Sequence, residues 1–151
     1  MPTRQSRTKR RKPTCEIVWY AMLVDGWTFD YHFEVNAARH DPRPYWELRA
    51  LEITGDPIRP SKLKADKMVL HVSGDSNLAD WNAREEPKRL IGLLDLSETT
   101  LRGHVWVPAD ALPLLLQLVI AGEMRYAVLR GEKLRYRSAS AFSAWRFSHL
   151  K

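Results

Sequence analysis

The clearest alternation in the chain begins at Ile17. Ile17, Trp19, Ala21 and Leu23 fall on one side of an extended backbone, and Val18, Tyr20, Met22 and Val24 on the other. Asp25-Gly26 follows, and these two residue types tolerate the positive φ angles of a two-residue hairpin turn, so the pattern predicts a turn there. Trp27, Phe29, Tyr31, Phe33 and Val35 then alternate with Thr28, Asp30, His32, Glu34 and Asn36, the signature of a half-buried strand. A turn at 25–26 would set Val24 opposite Trp27, Met22 opposite Phe29, Tyr20 opposite Tyr31 and Val18 opposite Phe33. All eight are apolar or aromatic, so this face is expected to pack as core. The reverse face is mixed, with Trp19 expected across from His32 and Ile17 across from Glu34.

Further strands are expected at Trp46–Thr54, Lys67–Ser73, Leu90–Leu96, Leu101–Val107, Met124–Arg130 and Lys133–Ser148, with turn signals at Gly55-Asp56-Pro57 and Gly131-Glu132. Two prolines between Ala37 and Pro44 mark an irregular loop, and Gly74 to Lys88 reads as the longest surface loop, with Leu78 and Trp81 its large apolar residues. One helix stands out, over about residues 110–121. Asp110 is its candidate cap, Pro113 is tolerable in a first turn, and Gly122 sits where a C-terminal glycine belongs. Leu112, Leu114, Leu115, Leu116, Leu118, Val119 and Ile120 make it apolar on nearly every side, with Gln117 the polar exception. Such a helix is expected either to be enclosed by sheets or to meet another subunit.

Together these elements predict a β-rich α+β fold. The expected arrangement is a mostly antiparallel sandwich or partly open barrel of about eight strands with one short hydrophobic helix. At 151 residues the chain is one domain's worth. No apolar run approaches the roughly 18 residues of a membrane span. The single cysteine, Cys15, excludes an intramolecular disulfide framework and most structural zinc sites.

Charge divides the chain at Pro13. Arg4, Arg7, Lys9, Arg10, Arg11 and Lys12 precede it with no acidic residue among them, and the remaining 18 basic residues balance the 18 acidic ones. The whole net charge of +6 therefore sits in the leading segment. Residues 1–13 are expected to be a disordered basic arm, because so polar a segment buries too little apolar area to offset its ordering entropy. Residues 14–151 are expected to form a single globular β-rich domain. The apolar stretch Ile17 to Val24 is short, bracketed by Glu16 and Asp25 and followed by no small-residue cleavage site, which argues against a secretory signal. Pro2 stands where myristoylation needs glycine. A cytoplasmic location is expected.

Candidate chemistry is sparse. The six cations of the arm suit a polyanion, because lysine and arginine displace condensed counterions from phosphates; the bland alternative is a solubilising tail. Asp30, His32 and Glu34 would stand about 6.7 Å apart on the mixed strand face with Trp19 beside His32. A carboxylate–imidazole–carboxylate row of this kind tunes a histidine or holds a polar ligand against an indole, although alternation also produces such rows on ordinary wet strands. The aromatic row from Trp27 to Phe33 would serve as a stacking platform were it not better explained as core. His40-Asp41 has no companion histidines, Cys15 no evident base, and His71 and His104 lie on separate expected strands. Arg7-x-x-x-Arg11 with Asp95-x-Ser97 resembles in part the nucleotide-binding signature of PilZ domains. Thr100 stands where that signature needs glycine, and its two halves are too far apart, so no family is assigned.

The function expected from these residues is a noncatalytic binding or assembly module, homo-oligomeric, whose basic arm contacts nucleic acid or an acidic protein. The alternative is a small-ligand-binding domain or enzyme that uses the Trp19, Asp30, His32 and Glu34 face. No cofactor and no metal is called for.

Overall fold

A computed structural model describes residues 16–35, 45–75, 91–134 and 140–149. The basic arm with Arg4, Arg7, Lys9, Arg10, Arg11 and Lys12 lies outside the described residues. So do Cys15, the loop with His40-Asp41, and Leu78 and Trp81. Seven strands and one helix follow in the order β1 Ile17–Val35, β2 Tyr45–Arg59, β3 Lys67–Asp75, β4 Gly92–Ser97, β5 Thr100–Pro108, α1 Ala111–Ile120, β6 Tyr126–Glu132 and β7 Ser140–Ser148. The expected β-rich α+β class is observed, as a barrel rather than two facing sheets. The strands pair in the cyclic order β1-β2-β3-β5-β4-β7-β6, and β6 pairs back onto β1. All ladders are antiparallel except β3–β5. The thinnest join is β4–β7, with the three pairs Gly92–Phe142, Leu93–Ala141 and Leu94–Ser140.

The expected hairpin at Asp25-Gly26 does not form. β1 runs through both residues as one strand of 19 residues. Gly26 has no positive φ, and its place in the ladder is a bulge, where pairing slips between Val24–Gly55 and Gly26–Thr54. The extra residue changes which parity faces inward. Tyr20 and Met22 point into the barrel before it, and Trp27 and Phe29 stand opposite the buried Ile53 and Leu51 after it. The eight residues expected on one face therefore do share a face, but of one long strand instead of a folded pair.

Contact, not turn geometry, accounts for Gly26 and Gly55. A Cβ on Gly55 would lie 2.2 Å from the Leu23 carbonyl oxygen, and one on Gly26 would lie 2.8 Å from Thr54 Oγ1. Asp25 is held at the bulge from β2 and β3. Thr54 Oγ1 donates to Asp25 Oδ1 at 3.0 Å, and Lys67 Nζ donates to Asp25 Oδ2.

The consequence corrects the expectation of an aromatic core row. β6 begins at Tyr126, opposite Leu23, so beyond the bulge the described ladders of β1 run to β2 alone. The two strands continue past the barrel rim as a ribbon, and among the described elements none packs across its apolar face. Trp27, Phe29, Tyr31, Phe33 and Val35 are between 37% and 66% exposed.

Inside the barrel the core is built from Met22, Leu51, Ile53, Met68, Leu70, Val72, Leu94, Leu101, Val105 and Leu129, all at most 1% exposed. Gly103 admits Leu70 here, since a Cβ would meet its Cδ2 at 2.6 Å. Tyr20 ties the β1–β6 seam: its hydroxyl donates to the Glu132 carbonyl at 2.9 Å and accepts from the Leu134 N–H at 2.7 Å.

Helix α1 leaves the end of β5 and packs on β3 and β5. It ends as the sequence predicts. Gly122 has φ 71°, and the N–H groups of Gly122 and Glu123 close onto the carbonyls of Val119 and Leu118 at 3.0 and 2.9 Å, a left-handed glycine cap. Asp110 occupies the N-cap position without a side-chain hydrogen bond. Leu112, Leu115 and Val119 form the buried stripe, while Leu114, Leu118 and Ile120 are exposed, so the helix is not enclosed on several sides. A single sheet layer covers one stripe and no more.

Two outcomes test the bulge. Gly55→Ala forces a side chain into a backbone carbonyl and should lower stability by about 3 kcal/mol or prevent folding, read from the denaturant midpoint. The Asp25–Lys67 pair has a defined pH window. The Lys67 ammonium and Thr54 hydroxyl hold the Asp25 carboxyl below its ordinary value, and Asp25 holds the Lys67 amine above its own. The depressed acid contributes stability above the unfolded aspartate value of about 4, and this is lost as pH falls through the folded value. The raised amine contributes below about 10.4 and loses it as pH rises through its folded value. Midpoints of the native chain and Asp25→Asn should differ at neutral pH, by a small salt-sensitive amount because both groups are exposed, and should converge in strong acid.

Candidate cationic groove on the barrel wall

Small residues at the centre of a sheet face leave a depression, and β1, β6 and β7 supply three. On the outer wall, one lateral row runs Arg59, Ala21, Val128, Arg146 across β2, β1, β6 and β7. The adjacent row on the same face is Trp19, Arg130, Ala144, and on the other side lies Leu23, Tyr126, Ser148. Ala21, Val128 and Ala144 thus form a floor, with Arg59 and Arg146 at its two sides. Trp19 with Arg130 closes one end and Tyr126 the other. Ile58 joins the lining because the β1–β2 ladder skips it, stepping from Ala21–Arg59 to Met22–Pro57. The groove holds about 650 Å³. Bulges recur beside binding sites because they re-aim a side chain in this way.

The electrostatics of the groove are one-sided. Arg59, Arg130 and Arg146 are exposed, and none has an acidic partner among the described residues. The Arg130 guanidinium lies 5.8 Å from the centre of the Trp19 ring, which orients both groups at the groove edge. Trp19 is nonetheless 53% exposed. Arginine suits such a place: its planar guanidinium accepts oxyanions in a fork and stacks on rings.

The candidate face of Trp19, Asp30, His32 and Glu34 does not assemble. All four are on the outer face of β1, but with no hairpin Trp19 and His32 are 13 residues apart on one strand, about 43 Å at full extension. Asp30, His32 and Glu34 remain neighbours on the outer face of the ribbon, with His32 Nε2 3.6 Å from Glu34 Oε2. His71 and His104 are adjacent on the parallel strands β3 and β5, their rings stacked at 5.1 Å, with Glu52 Oε2 3.3 Å from His71 Nδ1. Among the described residues no group of three or more histidine, cysteine or acidic side chains is placed to hold a metal ion. No helix among them is long and apolar enough to cross a membrane.

Of the candidate site residues named from sequence, the groove takes up Trp19 alone. Arg59, Arg130, Arg146 and Tyr126 carry no motif and were legible only as members of alternating strands. Their convergence depends on β1 pairing with β6, across more than a hundred residues of chain. Comparison with protein-family models, curated proteins and solved structures returns no match.

Trp19 at the groove edge is not part of the core. Trp19→Ala should therefore change the denaturant midpoint by less than about 1 kcal/mol, whereas Leu129→Ala on the inner face of β6 should cost about 2–5 kcal/mol.

Proposed function

We propose that the protein is a noncatalytic binding module for single-stranded nucleic acid, engaged by the barrel-wall groove together with the basic arm. The observation that carries this reading is the groove itself: Arg59 and Arg146 beside an apolar floor, with Arg130 at its edge over the exposed Trp19 indole and Tyr126 at the other end, none of the three arginines having an acidic partner among the described residues. Unpaired arginines answer phosphates, and aromatic faces answer bases whatever their sequence. The arm adds to the same surface through chain connectivity. Lys12 precedes Trp19 by seven residues, at most about 25 Å along the chain, so its cations fall within reach of a strand lying in the groove. Separate roles for arm and groove would need no such proximity.

Binding of a fluorescent single-stranded oligonucleotide, followed by anisotropy against salt, tests the proposal. With about 0.7 counterions released per cation on a single strand, nine cations give a log–log slope near −6. Removal of residues 1–12 should bring it to about −2. Alanine at Arg59, Arg130 and Arg146 together should bring it to about −4. Trp19→Ala should weaken binding roughly 5- to 150-fold with an unchanged slope, as expected for a lost stacking contact of about 1–3 kcal/mol. Full affinity in the chain with the three arginines replaced would remove the groove from the reading. Equal affinity for polyglutamate would show that charge alone is recognised and bases are not.

A further inference from the structure

We infer that His71 and His104 form a binding site for one divalent transition-metal ion on the outer barrel wall, with Glu52 as the carboxylate that orients His71. The site is independent of the groove. It lies on β3 and β5, which β2 separates from β1 and β4 separates from β7. Alternation puts each histidine on a strand of its own, and only the parallel β3–β5 ladder makes them register partners. Their chain neighbours Leu70, Val72 and Val105 are fully buried, and Leu70 fills the space at Gly103. Core packing therefore fixes the backbone on both sides of each histidine. The rings themselves stand on the outer face, His71 with 37% of its side chain exposed and His104 exposed.

Two features of the cluster point to a metal ion. The first is the spacing of the rings, which stack with centroids 5.1 Å apart and planes 25° from parallel. An ion bound tetrahedrally at 2.0–2.1 Å from each nitrogen sets the two nitrogens about 3.3 Å apart. Rotation of the two side chains supplies that convergence, since neither ring is buried and the backbone need not move. The second is the carboxylate. Glu52 Oε2 lies 3.3 Å from His71 Nδ1. A proton on Nδ1 directed at a carboxylate leaves Nε2 as the lone-pair donor, which is how metal-bound histidines are held and oriented. Glu52 is thus engaged by His71 and is not itself a ligand. This agrees with the finding that, among the described residues, no group of three or more donors is placed to hold an ion. Imidazole nitrogen suits zinc, copper and nickel, whereas magnesium and calcium take oxygen. Two protein nitrogens leave the remaining positions of the ion to water or to an anion from solution.

The full chain with Cys15→Ser provides the test, so that no thiol takes part. Calorimetric titration with Zn2+ should show one equivalent that is lost in His71→Ala/His104→Ala, with the circular dichroism of the barrel unchanged. The same stoichiometry and affinity in that double variant would overturn the inference. Either alanine alone should weaken the site at least tenfold, because one nitrogen cannot chelate. Glu52→Gln should weaken it about 10- to 100-fold, while Cu2+ bound to that variant still shows two nitrogen couplings by electron paramagnetic resonance. Unchanged affinity in Glu52→Gln would overturn the role given to the carboxylate. A further measurement needs no histidine replaced. Substoichiometric Cu2+ should broaden the ring resonances of His71 and His104 before those of His32, His40 and His149, and earlier broadening of another histidine would overturn the site. Deleting residues 1–12 should leave the zinc affinity unchanged, which separates this inference from the role of the arm.

Discussion

A strand that keeps one apolar face for 19 residues while passing from a barrel wall into a two-stranded ribbon has to accommodate one residue out of step. β1 does so at Asp25-Gly26. The bulge is built from three contacts that leave little latitude: Gly55 against the Leu23 carbonyl, Gly26 against Thr54, and Asp25 held by Thr54 and Lys67. Without the extra residue, Trp27 and Phe29 would point away from Ile53 and Leu51, and the ribbon would present its acidic face along the line of the core. The ribbon takes its facing from this slip in pairing, while the groove owes Ile58 to a second slip, between Ala21 and Met22.

The two halves of β1 do different work. Its first half is walled on both edges, so its inner residues are core and its outer residues belong to a sheet surface. Where that surface carries alanine and valine between arginines, a groove results. Its second half pairs with β2 among the described strands, and residues of the same hydrophobicity are more exposed there. Burial along this strand is decided by how many neighbours the backbone has, and side-chain chemistry comes second.

That distinction marks what was legible in the sequence. The positions of β3, β5 and β6, the helix with its glycine cap, and the shared face of Tyr20, Met22, Trp27 and Phe29 all follow from local periodicity. Asp25-Gly26 misled because a hairpin turn and a bulge use the same residue types, and what selects between them is Gly55, thirty residues away on a strand it touches. The expected core row failed for a related reason: alternation reports that one face is apolar and says nothing of whether another wall faces it. The groove was beyond reach of a linear reading, since its arginines come from β2, β6 and β7 and meet only when the ring closes. The charge of the arm, by contrast, is plain in the sequence and lies outside the described residues.

Ring closure has its own bearing on how the chain reaches this state. The seam that completes the barrel joins β1 to β6, and the Tyr20–Glu132 bond within it spans 112 residues. At ordinary translation speeds of about 5–20 residues per second, β1 leaves the ribosome roughly 6–20 seconds before the strand that will cover its first half. β2 arrives early and shields one edge, while the other waits. A nascent chain of this protein therefore carries a long aromatic strand with an open flank through most of its synthesis, and escape from aggregation at that stage is a kinetic matter that the stability of the finished barrel does not address.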